Sequence, residues 1–195
     1  MVKNGVRFKG EYEEYMRIGE DLYEFILHVK RKNDTYDKIK CQMQCDDKLI
    51  EFFKCMRIQV TGQICSKNKF VNSKSRLEIF ILVDQIKLCG GKKFYINNNL
   101  VSIKGYICKE IILRKTRRGA IIADIMVALN NIEGTKYYIP CIAWEEIAKD
   151  IFQHFQKYSH ISIQGRLQSR EYPKKYDDGA VEIRTVNEVS IVEIK

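Results

Sequence analysis

The sequence predicts an all-β protein made of two tandem copies of one small five-stranded barrel, each with a helix between its third and fourth strands. Three observations carry that expectation. Apolar and polar residues alternate over short runs, as in half-buried strands. The chain also repeats itself: NGVRFKGEY at Asn4 to Tyr12 matches NLVSIKGYI at Asn99 to Ile107, an offset of 95. Finally, one amphipathic helical stretch falls between the third and fourth strand patterns of the second copy.

The offset grows along the chain. EFILHVK from Glu24 aligns with DIMVALN from Asp124, and Ile39 and Cys41 fall on Ile139 and Cys141, an offset of 100. IQVTGQICSK from Ile58 lies over ISIQGRLQSR from Ile161 at 103, keeping Gly62 on Gly165 and Ser66 on Ser169. The same offset sets Ile86 and Leu88 on Val189 and Ile191. Growth confined to the gaps between apolar segments means loop insertions in the second copy. The expected division is residues 1–89 for the first copy, GGKKFYINN at 90–98 as linker, and 99–195 for the second.

The second copy reads as strand (Leu100 to Cys108), basic turn LRKTRRG, strand (Ala120 to Asn130), polar turn, strand (Lys136 to Ala143), helix, strand (Ile161 to Arg170), loop, and strand (Val181 to Ile194). Trp144, Ile147, Ala148, Ile151, Phe152 and Phe155 recur at helical spacing, with Glu145, Glu146, Lys149 and Asp150 on the other side. This order is that of an OB-fold, whose second and third strands and long loops bind oligonucleotides. The fold class is therefore two tandem OB-folds.

Composition narrows the partners. The 195 residues hold 34 Lys and Arg against 25 Asp and Glu, a balance that attracts polyanions. Split at residue 98, the first part has 19 basic and 13 acidic residues, net +6, and the second 15 and 12, net +3. The most apolar run, AIIADIMVAL, is too short to span a membrane, and the N-terminus lacks the apolar block of a signal peptide. A cytoplasmic location is expected. Seven cysteines, an odd number, fit buried thiols better than disulfides. Cys41 and Cys45 have no second ligand pair, so no metal and no cofactor is expected.

On strand three, Tyr138, Pro140, Ile142 and Trp144 share one face, and Tyr137, Ile139, Cys141 and Ala143 fill the barrel. The polar face of ISIQGRLQSREYPKKY carries Ser162, Gln164, Arg166, Gln168, Arg170 and Tyr172, and then come Lys174 and Lys175. Amides, guanidiniums and a tyrosine suit phosphates and unpaired bases. The bland alternatives are a core role for Trp144, a subunit interface for Tyr138, a solvated Tyr172, and arginines that only keep a sheet wet. The turn with Arg114, Lys115, Arg117 and Arg118 is either a charged hairpin or a guide for nucleic acid.

From Asn99 onward the chain resembles the bacterial single-stranded DNA-binding proteins (SSB). NLVSIKGYI, GAIIADIMVALN, YYIPCIAWEEIAKD, ISIQGRLQSREY and TVNEVSIVEI carry the resemblance. It implies a non-catalytic protein of replication, recombination or repair that stacks bases on aromatics, here Tyr138, Trp144 and Tyr172. Arg166, Arg170, Lys104, Arg117, Arg118, Lys174 and Lys175 would contact the strand beside them. The first copy has Lys38 and Gln44 where the second has Tyr138 and Trp144. Its expected contribution is Lys38, Lys67, Lys69 and Arg76, with Phe70 as a loop aromatic, or else assembly.

The partner is single-stranded DNA, with RNA not distinguished from it. One-barrel relatives act as tetramers, so a homodimer giving four barrels is expected. The chain stops at SIVEIK, so no acidic tail for recruiting replication proteins is expected. The alternatives are an accessory or primosomal factor of a plasmid or phage, whose first domain binds protein, and an OB-fold nuclease. The nuclease lacks clustered carboxylates in the sequence.

Overall fold

The computed structural model describes residues 4–71, 74–89, 98–130, 134–175, 179 and 181–195. Among them lie twelve strands and two helices. The first copy contains β1 (Asn4–Gly10), β2 (Tyr15–Gly19), β3 (Leu22–Lys30), β4 (Tyr36–Gln44), α1 (Asp47–Phe53), β5 (Ile58–Val71) and β6 (Lys74–Leu88). The second contains β7 (Asn99–Ile107), β8 (Ile112–Lys115), β9 (Ile121–Asn130), β10 (Lys136–Trp144), α2 (Glu145–His154), β11 (His160–Lys175) and β12 (Val181–Ile194). Each copy is an OB-fold with one added short edge strand, β2 or β8. The expected linker, apart from Asn98, lies outside the described residues.

Alternation builds both barrels. Val6, Phe8, Phe25, Leu27, Ile39 and Ile64 are buried in the first, and Val101, Ile103, Val127, Ile139, Leu167 and Val189 in the second. Ala148 and Ile151 of α2 are buried, while Phe152 is half exposed, so the expected apolar face of that helix is narrower than its sequence pattern. Cys41 and Cys141 occupy matching core positions, where burial pushes both thiols up. Asp46 caps α1, its carboxylate accepting from the Leu49 amide at 2.7 Å, which satisfies an orphan donor of the first turn.

The matched glycines are places where backbones approach closely. A Cβ on Gly62 or Gly165 would collide with the carbonyl oxygen of Leu82 or Ser190. Each glycine sits at a bulge in its long hairpin, between Thr61 and Gly62 in one and between Gln164 and Gly165 in the other. A bulge kinks a strand so that a sheet can close into a barrel.

A local two-fold axis relates the copies. β1 and β7 pair antiparallel with Val6 opposite Val101, Asn4 opposite Ile103 and Phe8 opposite Asn99. Val6 and Val101 are also the matched residues of the repeat, so the axis passes between them. The serine match has the same origin. Ser66 Oγ accepts the amide of Tyr138 at 2.8 Å, and Ser169 Oγ accepts the amide of Lys38 at 2.9 Å. Each copy's hairpin is thus fastened to the third main strand of the other. The asparagines do not follow suit: Asn99 bridges the Leu167 amide and carbonyl at 2.9 and 2.8 Å, whereas Asn4 Oδ1 is buried without a partner.

Two expectations are corrected. The last strands match at an offset of 108 rather than 103: Cys41 faces Ile81 and Cys141 faces Val189, while Ile64 pairs with Ile81 and Leu167 with Val189. Ile86 therefore corresponds to Ile194, because five further residues are inserted at the tip of the β11–β12 hairpin. The expected loop after Arg170 is also strand as far as Lys175. Pro173 is accommodated there opposite Ile183, on a strand whose outer edge is not part of a continuous ladder.

Candidate nucleic-acid interface

The second barrel presents an open sheet face built on β9 and β10. Tyr138 and Trp144 stand on it, each 41% exposed, opposite Ala128 and Ile122 of β9. Ile142, between them on the same face, is buried. Trp144 is the last residue of β10 and the N-cap position of α2, with no side-chain cap bond. Its ring is therefore a half-exposed platform rather than a core anchor, and Tyr138 is accessible in the monomer.

β10 and β12 pair through a short parallel ladder at Cys141–Val189 and Ile142–Ser190. Where they diverge, a groove of about 400 Å³ opens, bounded by Trp144, Ile122, Arg114, Gln168, Arg170 and Glu188 among others. Arg31 of the first barrel also reaches it. The Arg31 guanidinium bonds Asp37 and the Ser169 carbonyl, which places it across the axis. Three arginines thus line the groove that holds the indole ring.

The groove holds its own acids. Asp124 accepts two bonds from Arg114, at 2.5 and 3.2 Å. Glu188 lies 3.7 Å from Arg170. Burial pushes the Glu188 carboxyl above the ordinary carboxylate range, and Arg170 only partly offsets this. The groove can therefore receive a flat base on Trp144 and phosphates on the guanidiniums.

The structure sorts the expected residues. Gln168 and Arg170 join Trp144, while Arg166 is exposed nearby on β11, outside the groove. Arg117 and Arg118 are exposed in the β8–β9 turn, held by Thr116 and the positive-φ Gly119. Arg114 and Lys115, expected in that turn, instead belong to β8. Lys104 is exposed on β7 opposite Ser162 of β11, on strands that do not adjoin β10, so it does not join the aromatics. Lys174 is half-buried. The side chains of Tyr172 and Lys175 lie outside the described residues.

In the first copy the expected cations are largely engaged. Lys38 pairs with Glu171 at 3.2 Å, Lys67 with Glu78 at 3.6 Å, and Arg76 with Glu182 at 2.8 Å. Lys69 and Phe70 are exposed on the arm of the hairpin, Phe70 at 76%. Register places Lys69, opposite Arg76, where the second copy has Tyr172 opposite Arg184. The three positions expected to carry aromatics for bases, Tyr138, Trp144 and Tyr172, are thus Lys38, Gln44 and Lys69 in the first. Sequence reasoning missed Arg31 and Glu188. Neither carries a local motif, and Arg31 reaches the groove only through the axis. Among the described residues no group of three potential metal ligands occurs, and no helix is long and apolar enough to cross a membrane.

Known proteins share this architecture. Two solved structures of the single-stranded DNA binding protein from Thermus aquaticus superpose on 98% of this chain. The wild-type form has a TM-score of 0.70 at 16% identity, covering 91% of that chain; a deletion mutant gives 0.72 at 15%, covering 93%. Single-stranded DNA-binding protein B of Bacillus subtilis is 32% identical over 80 residues, 38% of this chain and 71% of that protein. The single-stranded DNA-binding protein of Bacillus cereus is 31% identical over 80 residues, and the match spans about half of its length, 47%. Residues 98–195, half of the chain, match the model of the single-strand binding protein family, and this chain belongs to that family.

Proposed function

We propose that this chain is a non-catalytic protein that binds single-stranded DNA and serves replication, recombination or repair. The observation that carries the reading is the half-exposed pair Tyr138 and Trp144 on one open sheet face, with Arg31, Arg114 and Arg170 lining the groove beside the second. Aromatic platforms bind unpaired bases of any sequence, because every base has a π-face. Lysines and arginines release counterions from the backbone, which makes binding fall steeply with salt. Membership of the family supports the same reading.

Trp144 is the only tryptophan, so its emission reports the site directly. Titration with poly-dT, duplex DNA and RNA at two salt concentrations tests the proposal. Quenching by poly-dT, weakened by salt and much weaker with duplex, is the expected result; equal affinity for duplex overturns it. Incubation of labelled oligonucleotide with magnesium gives a shift without cleavage if the protein is no nuclease.

The proposed units are residues 1–89 and 99–195, with 90–98 joining them. We also propose that two chains associate to present four barrels. The outer surface of β5, β1, β7 and β11 runs unbroken across the local axis and supports this, since a two-fold contact needs one self-complementary patch. Light scattering at micromolar concentration decides it: a mass that stays at 23.0 kDa rules the dimer out.

A further inference from the structure

We infer that the two barrels are not two binding sites: a single strand is held on the sheet face of the second barrel alone, and the first copy serves that face from across the axis. This rests on the proposed single-strand binding and states where the strand runs.

The first barrel's corresponding face is shut by its own charges. Lys40 lies 2.9 Å from Glu24 and 2.8 Å from Glu78, and Glu78 also receives Lys67. Gln42 donates to Glu24 at 2.7 Å. The three central side chains are only 17 to 20% exposed. Matching positions in the second barrel hold Asp124, Pro140, Ile142 and Val186. An ion-paired patch without an aromatic offers a base nothing to stack on; the arginines of the Trp144 groove are ion-paired as well, so the exposed ring is what separates the two faces. Burial pushes Glu24 up, but Gln42 and Lys40 outweigh it and hold its carboxyl below the ordinary range. Burial likewise works against Lys40, and its two glutamates raise it nonetheless. Both shifts favour the charged forms, so the patch stays closed at neutral pH.

The same copy sends two groups outward. Arg31 enters the Trp144 groove. At the other end of β10, Ser66 holds the Tyr138 amide, and Phe70 stands four residues farther along β5. At the rise of a strand, roughly 3.3 Å per residue, that is about 13 Å away. A strand leaving Tyr138 thus meets an exposed ring and Lys69 on the first copy's arm, without crossing that copy's β3–β4 face.

The test places the same charge at the same position of each barrel. Affinity for a labelled oligo-dT long enough to span both barrels is measured by anisotropy for the unaltered chain, Trp144→Glu, Gln44→Glu and Phe70→Ala. Gln44 and Phe70 are exposed, so folding is spared. Expected are a loss of tenfold or more for Trp144→Glu, about threefold to tenfold for Phe70→Ala, since one stacking partner is lost, and less than about twofold for Gln44→Glu, which stands on the barrel that holds no strand. A Gln44→Glu loss equal to that of Trp144→Glu overturns the inference and leaves single-strand binding standing, as does an unaltered affinity for Phe70→Ala. An unaltered chain that ignores oligo-dT overturns both.

Discussion

The two barrels agree where they meet and differ where they face outward. Matched residues lie at the axis (Val6 with Val101), at the bulges (Gly62 with Gly165), in the reciprocal clasps (Ser66 with Ser169) and in the core (Cys41 with Cys141). Unmatched ones lie on the third main strands and the hairpin arms: Tyr138, Trp144 and Tyr172 stand against Lys38, Gln44 and Lys69. A repeat of this kind reports first on how its copies pack together. Binding chemistry is read from the mismatches.

The largest effect expected from disturbing the shared part comes from Gly165→Ala. The new methyl would meet the Ser190 carbonyl, and a backbone atom cannot move aside cheaply, so we expect a loss of about 3 kcal/mol by urea denaturation. Gly62→Ala should do nearly the same, and a large difference between them would break the equivalence of the two bulges.

Next comes the unshared part. Trp144→Ala should weaken oligo-dT binding by about 1–3 kcal/mol, one stacked base, while Gln44→Ala changes affinity by less than the error of a titration. Equal losses would erase the distinction between the faces.

Smaller is the effect of the clasps. Ser66→Ala and Ser169→Ala each leave a backbone amide without its acceptor, a penalty of about 1–2 kcal/mol. Thermal denaturation should give similar shifts for the two, since the bonds are 2.8 and 2.9 Å long. If only one destabilises, the axis is less symmetric in energy than in geometry.

The smallest effect concerns pH. The Glu188 pKa in the folded protein lies above its ordinary value, with burial as the main cause. On acidification Glu188 therefore takes up its proton at a higher pH than an ordinary glutamate; the groove then loses a negative charge, and Arg170 is freed for phosphate. Affinity measured by titration at successively lower pH should rise as this proton is taken up, and Glu188→Gln, already neutral, should flatten the part that this group contributes. Arg114 and Asp124 also face the site, but they are bound to each other and remain in both variants.

Much of this was legible in the sequence because period and repeat are local signals. The alternation in ISIQGRLQSR and the apolar spacing of EEIAKDIFQH give strand and helix as observed, and the period of two in YYIPCIAW puts Tyr138 and Trp144 on one face, where both are exposed. The strand nature of Glu171 to Lys175 was hidden by Pro173 and a run of charges, which read as loop until a paired β12 supplies the missing context. The offset of the last strand is ambiguous in the sequence because Ile86 and Ile81 are both apolar, and the register across Cys41 decides between them. Arg31 had no signal at all: its neighbours in space come from the other copy.

The pairing of β1 with β7 has a further consequence. In an assembly of identical chains, every substitution is made on both sides of the axis at once, and dilution can separate the halves. Here the two edges belong to one molecule, so their contact is governed by an effective concentration set by the tether rather than by the amount of protein present. It persists at dilutions where a comparable two-chain contact would come apart. Each half can also change alone, so one barrel can forgo its aromatic rings without disarming the other.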